Sequence, residues 1–212
     1  MCPLKSNHYH MKTSMLLLIV ALLFVALSSD AQEKGSLTDS RDGKTYHTIK
    51  IGEQTWMAEN LNYAIQRGCA CYKDDTTNCD KFGRLYRWEA AKISCPSGWH
   101  LPSDGEWGIL VDHLGGKKVA GGKLQAAELW EEPNSELTNL SGFCALPAGQ
   151  AVYTGVGIGG YMGLGKVAVW WTSTKPEFNG PIFIAISEMK NNIIRKSDVP
   201  NSKYSVRCIQ NN

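Results

Sequence analysis

"CPSGWHLPSDGEWGILVDHLGG", residues 95–116, decides how this chain is read. Ser103, Asp104, Gly105 and Glu106 form a capping-box sequence, a serine followed three residues later by glutamate. The serine oxygen accepts a backbone N–H of the first turn, and the glutamate reaches back to the serine N–H. Pro102 stands one residue before the cap, where its missing N–H costs nothing. Trp107, Leu110, Val111 and Leu114 then recur at i, i+3, i+4 and i+7, the stripe of a helix with one buried face. Gly115 and Gly116 stop it where a left-handed residue is wanted. The acids therefore have structural work at a helix end. His100 and His113 share no ligand spacing with a carboxylate and read as surface or packing residues. The stretch is scaffold, with Trp107 expected in the core.

Toward the N-terminus the pattern changes. Met15 to Leu27 is an unbroken apolar run, preceded by Lys12 and followed by Ser28, Ser29, Asp30 and Ala31. A basic start, a short apolar segment and small residues read as a secretory leader over residues 1–31, cleaved after Ala31. The run is short for a membrane span, so any membrane contact would come from an uncleaved leader. Residues 32–41 are polar and read as a loose lead-in. Residues 42–212 read as one domain, long enough to bury a core.

Removing Lys5, Lys12 and Asp30 from totals of 22 basic and 20 acidic residues leaves a net charge of +1. That is no footprint for nucleic acid, which demands a basic face. The chain is rich in Trp and Gly and poor in long helical periodicity, which suits short strands and many turns.

Of seven cysteines, Cys2 lies in the leader. Cys69, Cys71, Cys79, Cys95, Cys144 and Cys208 remain. An even number in an exported chain reads as three disulfides among fifteen connectivities. A zinc site on Cys69, Cys71 and Cys79 would lack finger spacing and a nearby fourth ligand.

The rest of the chain supplies elements. His47, Ile49 and Ile51 alternate with Thr48 and Lys50, a strand; Gly52-Glu53 makes the turn of a hairpin, and residues 54–57 return. "GRLYRWEAAKI", residues 83–93, reads as a short helix with Tyr86, Ala90 and Ile93 on one face. "GGKLQAAELW", residues 121–130, is a second helical segment, and residues 131–139 are polar loop. From Phe143 onward come strands: "VAVWWTST", "PIFIAIS", "NIIRKSD" and "YSVRCIQ". Asn191-Asn192 marks a turn between the second and third. At least one of Trp170 and Trp171 is core, because adjacent strand residues face opposite ways.

Several motif matches fail on context. "GVGIGG", residues 155–160, has dinucleotide-loop spacing, but a strand and not a helix follows it. "GYMGLGKV", residues 160–167, ends in Val167 where a P-loop needs Ser or Thr. The reading is no nucleotide partner. Asp74, Asp75, Asn78 and Asp80 lack the calcium-loop pattern. No Gly-x-Ser-x-Gly elbow and no His-Glu-x-x-His occurs, so no catalytic residue, metal or cofactor is assigned.

Taken together, "DGKTYHTIKIGEQTWMAENLNY", "CYKDDTTNCDKFGRLYRWEAA", "CPSGWHLPSDGEW", "GFCALPAG", "WWTST" and "YSVRC" resemble, in order, the signature blocks of the Fibrobacter succinogenes major paralogous domain family, over about residues 42–210. The core blocks are similar to those of C-type-lectin-like folds, including formylglycine-generating enzymes. The resemblance implies an α+β fold: two short helices with small twisted antiparallel sheets, long loops and disulfides. It implies a Cys95–Cys208 bridge and a local Cys71–Cys79 bridge, with Cys69 and Cys144 as an additional pair. The long closure would stabilise most, by about 4–5 kcal/mol.

Departures from the resemblance limit what it carries. Formylglycine-generating enzymes use two cysteines close together late in the chain, and only Cys208 stands there. Glu132-Pro133-Asn134 is similar to a lectin calcium motif, but Trp171 is followed by Thr172-Ser173, which supplies no carboxylate. The expectation is an exported, non-enzymatic binding or adhesion module, secreted, periplasmic or at the cell surface. Its ligand would be a glycan or a cell-surface protein. The alternatives are a formylglycine-generating-like enzyme or its inactive relative, and a structural cell-surface component. Candidate ligand contacts are Tyr153 and Tyr161, expected to be exposed among glycines, with Glu132 and Asn134.

Overall fold

The structure, a computed structural model, describes residues 33–131, 139–187 and 190–211. The leader and the Glu132–Asn134 motif lie outside the described residues. In chain order the elements are strands β1 (Lys34–Thr38), β2 (Thr45–Ile51), β3 (Gln54–Met57) and β4 (Cys69–Ala70); helix α1 (Thr76–Phe82); strand β5 (Leu85–Arg87); helix α2 (Trp88–Ala91); strand β6 (Trp99–His100); and helices α3 (Asp104–His113) and α4 (Ala120–Leu124). Strands β7 (Ala148–Tyr153), β8 (Ile158–Leu164), β9 (Val167–Trp171), β10 (Ile182–Ser187), β11 (Lys190–Ser197), β12 (Lys203–Ser205) and β13 (Ile209–Gln210) complete the fold. This is an α+β architecture of short helices and small sheets.

The first sheet runs β1-β2-β3-β13-β6, antiparallel throughout. The second runs β11-β10-β9-β12-β5-β4, with β7 joining β12 to β8. One of its pairings, β12 with β9, is parallel. The expected hairpin over residues 45–57 is present, and Gly52 in its turn has φ +60°, a value that glycine adopts without strain.

The α3 cap is formed as the sequence implies. The Ser103 hydroxyl accepts the Glu106 N–H at 3.2 Å, and the Glu106 carboxylate accepts the Ser103 N–H at 2.7 Å. Burial works against the charge on Glu106, but the Ser103 and His100 hydrogen bonds outweigh it and hold the carboxyl below its ordinary value. Trp107, Leu110, Val111 and Leu114 are all buried. They face Ile49, Trp56, Leu124, Phe143, Trp170 and Ile184 in the main core.

Strand β9 lies between two cores. Trp170 stacks in the first, its ring 5.5 Å from Trp107 and 5.8 Å from Phe143. Trp171 points the other way, 4.3 Å from Tyr204. Both are fully buried, because the sheet is covered on both faces, so the alternation at this site separates two interiors.

Four local expectations are corrected. Residues 34–38 of the lead-in form β1, paired in register with β2 from Lys34–Ile49 to Thr38–Thr45. Residues 83–93 hold a strand, β5, and a single turn, α2; Ile93 is 75% exposed and belongs to no buried face. Pairing of Tyr86 with Tyr204 and Cys69 overrides the helical spacing there. Within residues 121–130 only the segment to Leu124 is helical, in α4. Asn191 and Asn192 lie inside β11, whose pairing with β10 begins at Ser187–Lys190.

Two disulfides form, Cys71–Cys79 and Cys95–Cys208, as the family resemblance implies. Cys69 and Cys144 are not bridged. The Cys69 thiol donates to the Ile65 carbonyl at 3.4 Å, whereas Cys144 Sγ accepts the Asn139 side-chain amide at 3.0 Å. An even count does not force pairing when the fold places the last two thiols in different surroundings. Disulfides of this kind fit an oxidising compartment. Among the described residues no helix is long and apolar enough to cross a membrane.

Candidate functional site

The strand alternation of β2 and β3 sends Ile49, Ile51 and Trp56 inward, which leaves Lys50 and Thr55 on the outer face of the first sheet. Lys50 pairs with Thr55. Ile209 pairs with Trp56, and Gln210 with Trp99. The register therefore aligns Lys50, Thr55, Gln210 and Trp99 in one cross-strand row. On the far side Glu33 closes the row: its carbonyl accepts the Lys50 N–H at 2.9 Å, and its carboxylate lies 3.8 Å from Lys50 Nζ.

These residues, with Lys34, Ser36 and Thr48, line a groove of about 380 Å³. It crosses five strands, roughly 19 Å at ordinary strand spacing. Trp99 is half-buried and packs its inner edge on the second core. Leu37 adds a second apolar contact, and the remaining side chains offer hydroxyls, an amide and charges. Gly35 sits where a Cβ would meet Thr48 Oγ1 at 2.8 Å, so the absence of a side chain lets β1 approach the buried threonine.

The turn after β1 is anchored firmly. Asp39 is fully covered, and Arg41 donates to both of its oxygens at 2.8 and 2.6 Å. Those bonds hold the Asp39 carboxyl below the ordinary aspartate value. Arg41 also donates to the Ser94 carbonyl at 2.8 Å and lies 3.7 Å from the Tyr63 ring. The groove wall is thereby tied to the segment that carries Cys95 and Trp99.

The sequence-predicted ligand residues are placed otherwise. Tyr161, on β8, is half-buried: its ring lies 5.3 Å from Tyr72 and its hydroxyl donates to Asp74 at 2.9 Å. Tyr153, on β7, is half-buried too, with its hydroxyl on the Gly155 carbonyl at 2.7 Å. Tyr153 is thus committed to the β7/β8 hairpin loop, and Tyr161 ties that hairpin to the turn at residues 72–74. The glycine run at residues 155–160 is part of this hairpin, not of a strand-to-helix turn. Asp75 caps α1 through the Thr77 N–H at 2.9 Å. His100 bonds Glu106 and Asn211.

Sequence reasoning passed over the groove because its parts are scattered from residue 33 to residue 210. The usable signal was the polar half of the β2/β3 alternation, with Trp99 beside Cys95.

Below the groove, the last signature block builds a polar hub. Arg207 is fully buried. It donates to Asn60 Oδ1 and to the carbonyls of Met57, Phe143 and Cys144, and its guanidinium lies 4.4 Å from the Phe143 ring. Burial pushes its pKa down to about 9, which leaves it charged at neutral pH. Gly83, with φ +78°, lets the end of α1 reach this hub, since a Cβ there would meet Asn60 Cβ at 2.7 Å.

Among known proteins, no curated protein and no solved structure matches the chain. The model of the Fibrobacter succinogenes major domain matches residues 49–210. That span begins in β2 and ends in β13, taking in both disulfides, the α3 cap, the Arg207 hub and, of the groove, Lys50, Thr55, Trp99 and Gln210. The chain belongs to the Fibrobacter succinogenes major domain family.

Proposed function

We propose that this protein is an exported, non-enzymatic binding module whose ligand is a glycan laid across the outer face of the first sheet. The observation that carries the reading is the aligned row Lys50, Thr55, Gln210 and Trp99. A sugar presents an apolar ring face to an aromatic and hydroxyls to amides, hydroxyls and charges, and the row offers each in sequence along one groove. A C-type-lectin-like scaffold is in keeping with the short helices, the small sheets and the Cys95–Cys208 closure onto the last strand. Export is in keeping with the leader-like start and the two disulfides. Cys208, the late cysteine that formylglycine-generating chemistry would call on, is tied to Cys95, which favours binding over catalysis.

The test is a glycan array probed with the wild-type protein and with Trp99→Ala. Binding to a defined glycan set that Trp99→Ala loses while remaining folded supports the reading. A silent array, or binding untouched by Trp99→Ala, overturns it. Retention of a protein partner by Trp99→Ala would move the function to another face.

A further inference from the structure

The row across the first sheet takes Trp99 from β6, Gln210 from β13, Thr55 from β3 and Lys50 from β2, and ends on Glu33 at the start of β1. Its members lie in register, so each is about 4.8 Å from the next and the row runs across the strands, not along them. Strands β1 and β6 are the two edges of this sheet: among the described residues β1 pairs only with β2, and β6 only with β13. The row therefore passes from edge to edge, and no described strand closes either end. A site for the terminus of a chain needs a wall where the ligand stops. A row that leaves the sheet at both edges lets a long ligand run on past it in both directions.

The order of the chemistry along the row adds to this. The aromatic ring of Trp99 stands at one end. Gln210 and Thr55 follow, an amide and a hydroxyl that each donate and accept, as sugar hydroxyls do. Lys50 and Glu33 stand at the far end, 3.8 Å apart and opposite in sign. The two charges of the row answer each other, so it holds no spare cation for a sulfate or a uronate.

Building on the glycan reading above, we propose that the groove takes the interior of a linear, uncharged glycan. An extended sugar chain advances by about one strand spacing per ring, so about four consecutive rings cross the sheet from Trp99 to Lys50. The first ring stacks on Trp99, the next two exchange hydrogen bonds with Gln210 and Thr55, and the fourth meets Lys50. Neither terminus of the sugar chain is recognised.

The test is calorimetric titration of the folded protein with gluco-, manno- and xylo-oligosaccharides, from disaccharide to hexasaccharide. In a series that binds, affinity should rise by about tenfold or more from disaccharide to tetrasaccharide and then level off. A hexasaccharide coupled to a bead through its reducing end should bind as the free one does. Trp99→Ala should weaken binding at every length. Lys50→Ala, at an exposed position, should weaken only the tetrasaccharide and longer chains, since a disaccharide on Trp99 does not reach β2. If Trp99→Ala does not fold, the length dependence of Lys50→Ala decides alone. Affinity that stops growing at the disaccharide, loss of binding when the reducing end is blocked, or an equal effect of Lys50→Ala at all lengths overturns the proposal and leaves the glycan reading standing. So does binding confined to sulfated or uronate-bearing glycans. Binding to none of the three series overturns it as well, and a silent array overturns the glycan reading with it.

Discussion

Asn60 and Arg207 are joined by two hydrogen bonds, Nε and Nη2 of the guanidinium reaching the same amide oxygen at 3.2 and 2.8 Å. That oxygen also accepts the Trp170 indole at 2.9 Å, while the Asn60 amide nitrogen donates to the Phe82 carbonyl. Among the described residues no carboxylate forms an ion pair with Arg207. A fully buried charge is held by one amide, three backbone carbonyls and an aromatic face.

Asn60→Ala should therefore destabilise the fold by about 3 kcal/mol, since it leaves a buried cation and a buried indole without their acceptor. Arg207→Lys should cost a similar amount, because an ammonium keeps the charge but cannot reproduce the planar fork. Urea unfolding of both variants measures the loss. An effect below about 1 kcal/mol would mean that the hub is solvated.

The two disulfides should contribute unequally. The Cys95–Cys208 bridge closes a separation of 113 residues, and Cys71–Cys79 one of 8. Loop-closure entropy gives about 4.8 and 2.5 kcal/mol respectively. Cys95→Ala/Cys208→Ala should lower the unfolding midpoint more than Cys71→Ala/Cys79→Ala. Equal losses would contradict the entropic account.

Cys69 and Cys144 should both be found as free thiols. In protein lacking the leader and unfolded without reductant, a thiol reagent should find two free groups. Mass mapping should place them at those positions. Finding none would restore the third bridge.

The helix cap can be tested singly. Ser103→Ala removes the acceptor for the Glu106 N–H and should cost about 1 kcal/mol. Because Glu106 and Asp39 are held below their ordinary values, their contribution is complete above the unfolded carboxylate range. It disappears as pH falls through their folded values. Acid titration of Ser103→Ala should show a shallower loss than the wild type.

At the other end of the scale, burial raises the hydroxyl pKa of Tyr46 and Tyr161 to about 12 and pushes Tyr86 and Tyr204 upward as well. These groups stay neutral when folded, whereas unfolded tyrosine ionises near about 10. Their contribution is intact below that pH and is lost as the pH rises above it. Absorbance at the phenolate band should show a group of tyrosines that ionise only as the fold is lost. Smooth ionisation of all of them near pH 10 in the folded protein would disprove this.

Local chemistry wrote much of this fold legibly. The capped α3, the 45–57 hairpin and the burial of Trp107 follow from spacing within a few residues, where backbone geometry alone dictates which side chains share a face. The signature blocks carried the family and its two bridges. Residues 83–93 misread because a three-residue strand pairing with residues far along the chain outweighs a weak helical period. The groove, the Asn60–Arg207 hub and the burial of both Trp170 and Trp171 were settled only in three dimensions. Each depends on register between strands drawn from distant parts of the chain. No local pattern encodes which partner a strand will face, and only packing both sheets against α3 selects one alignment.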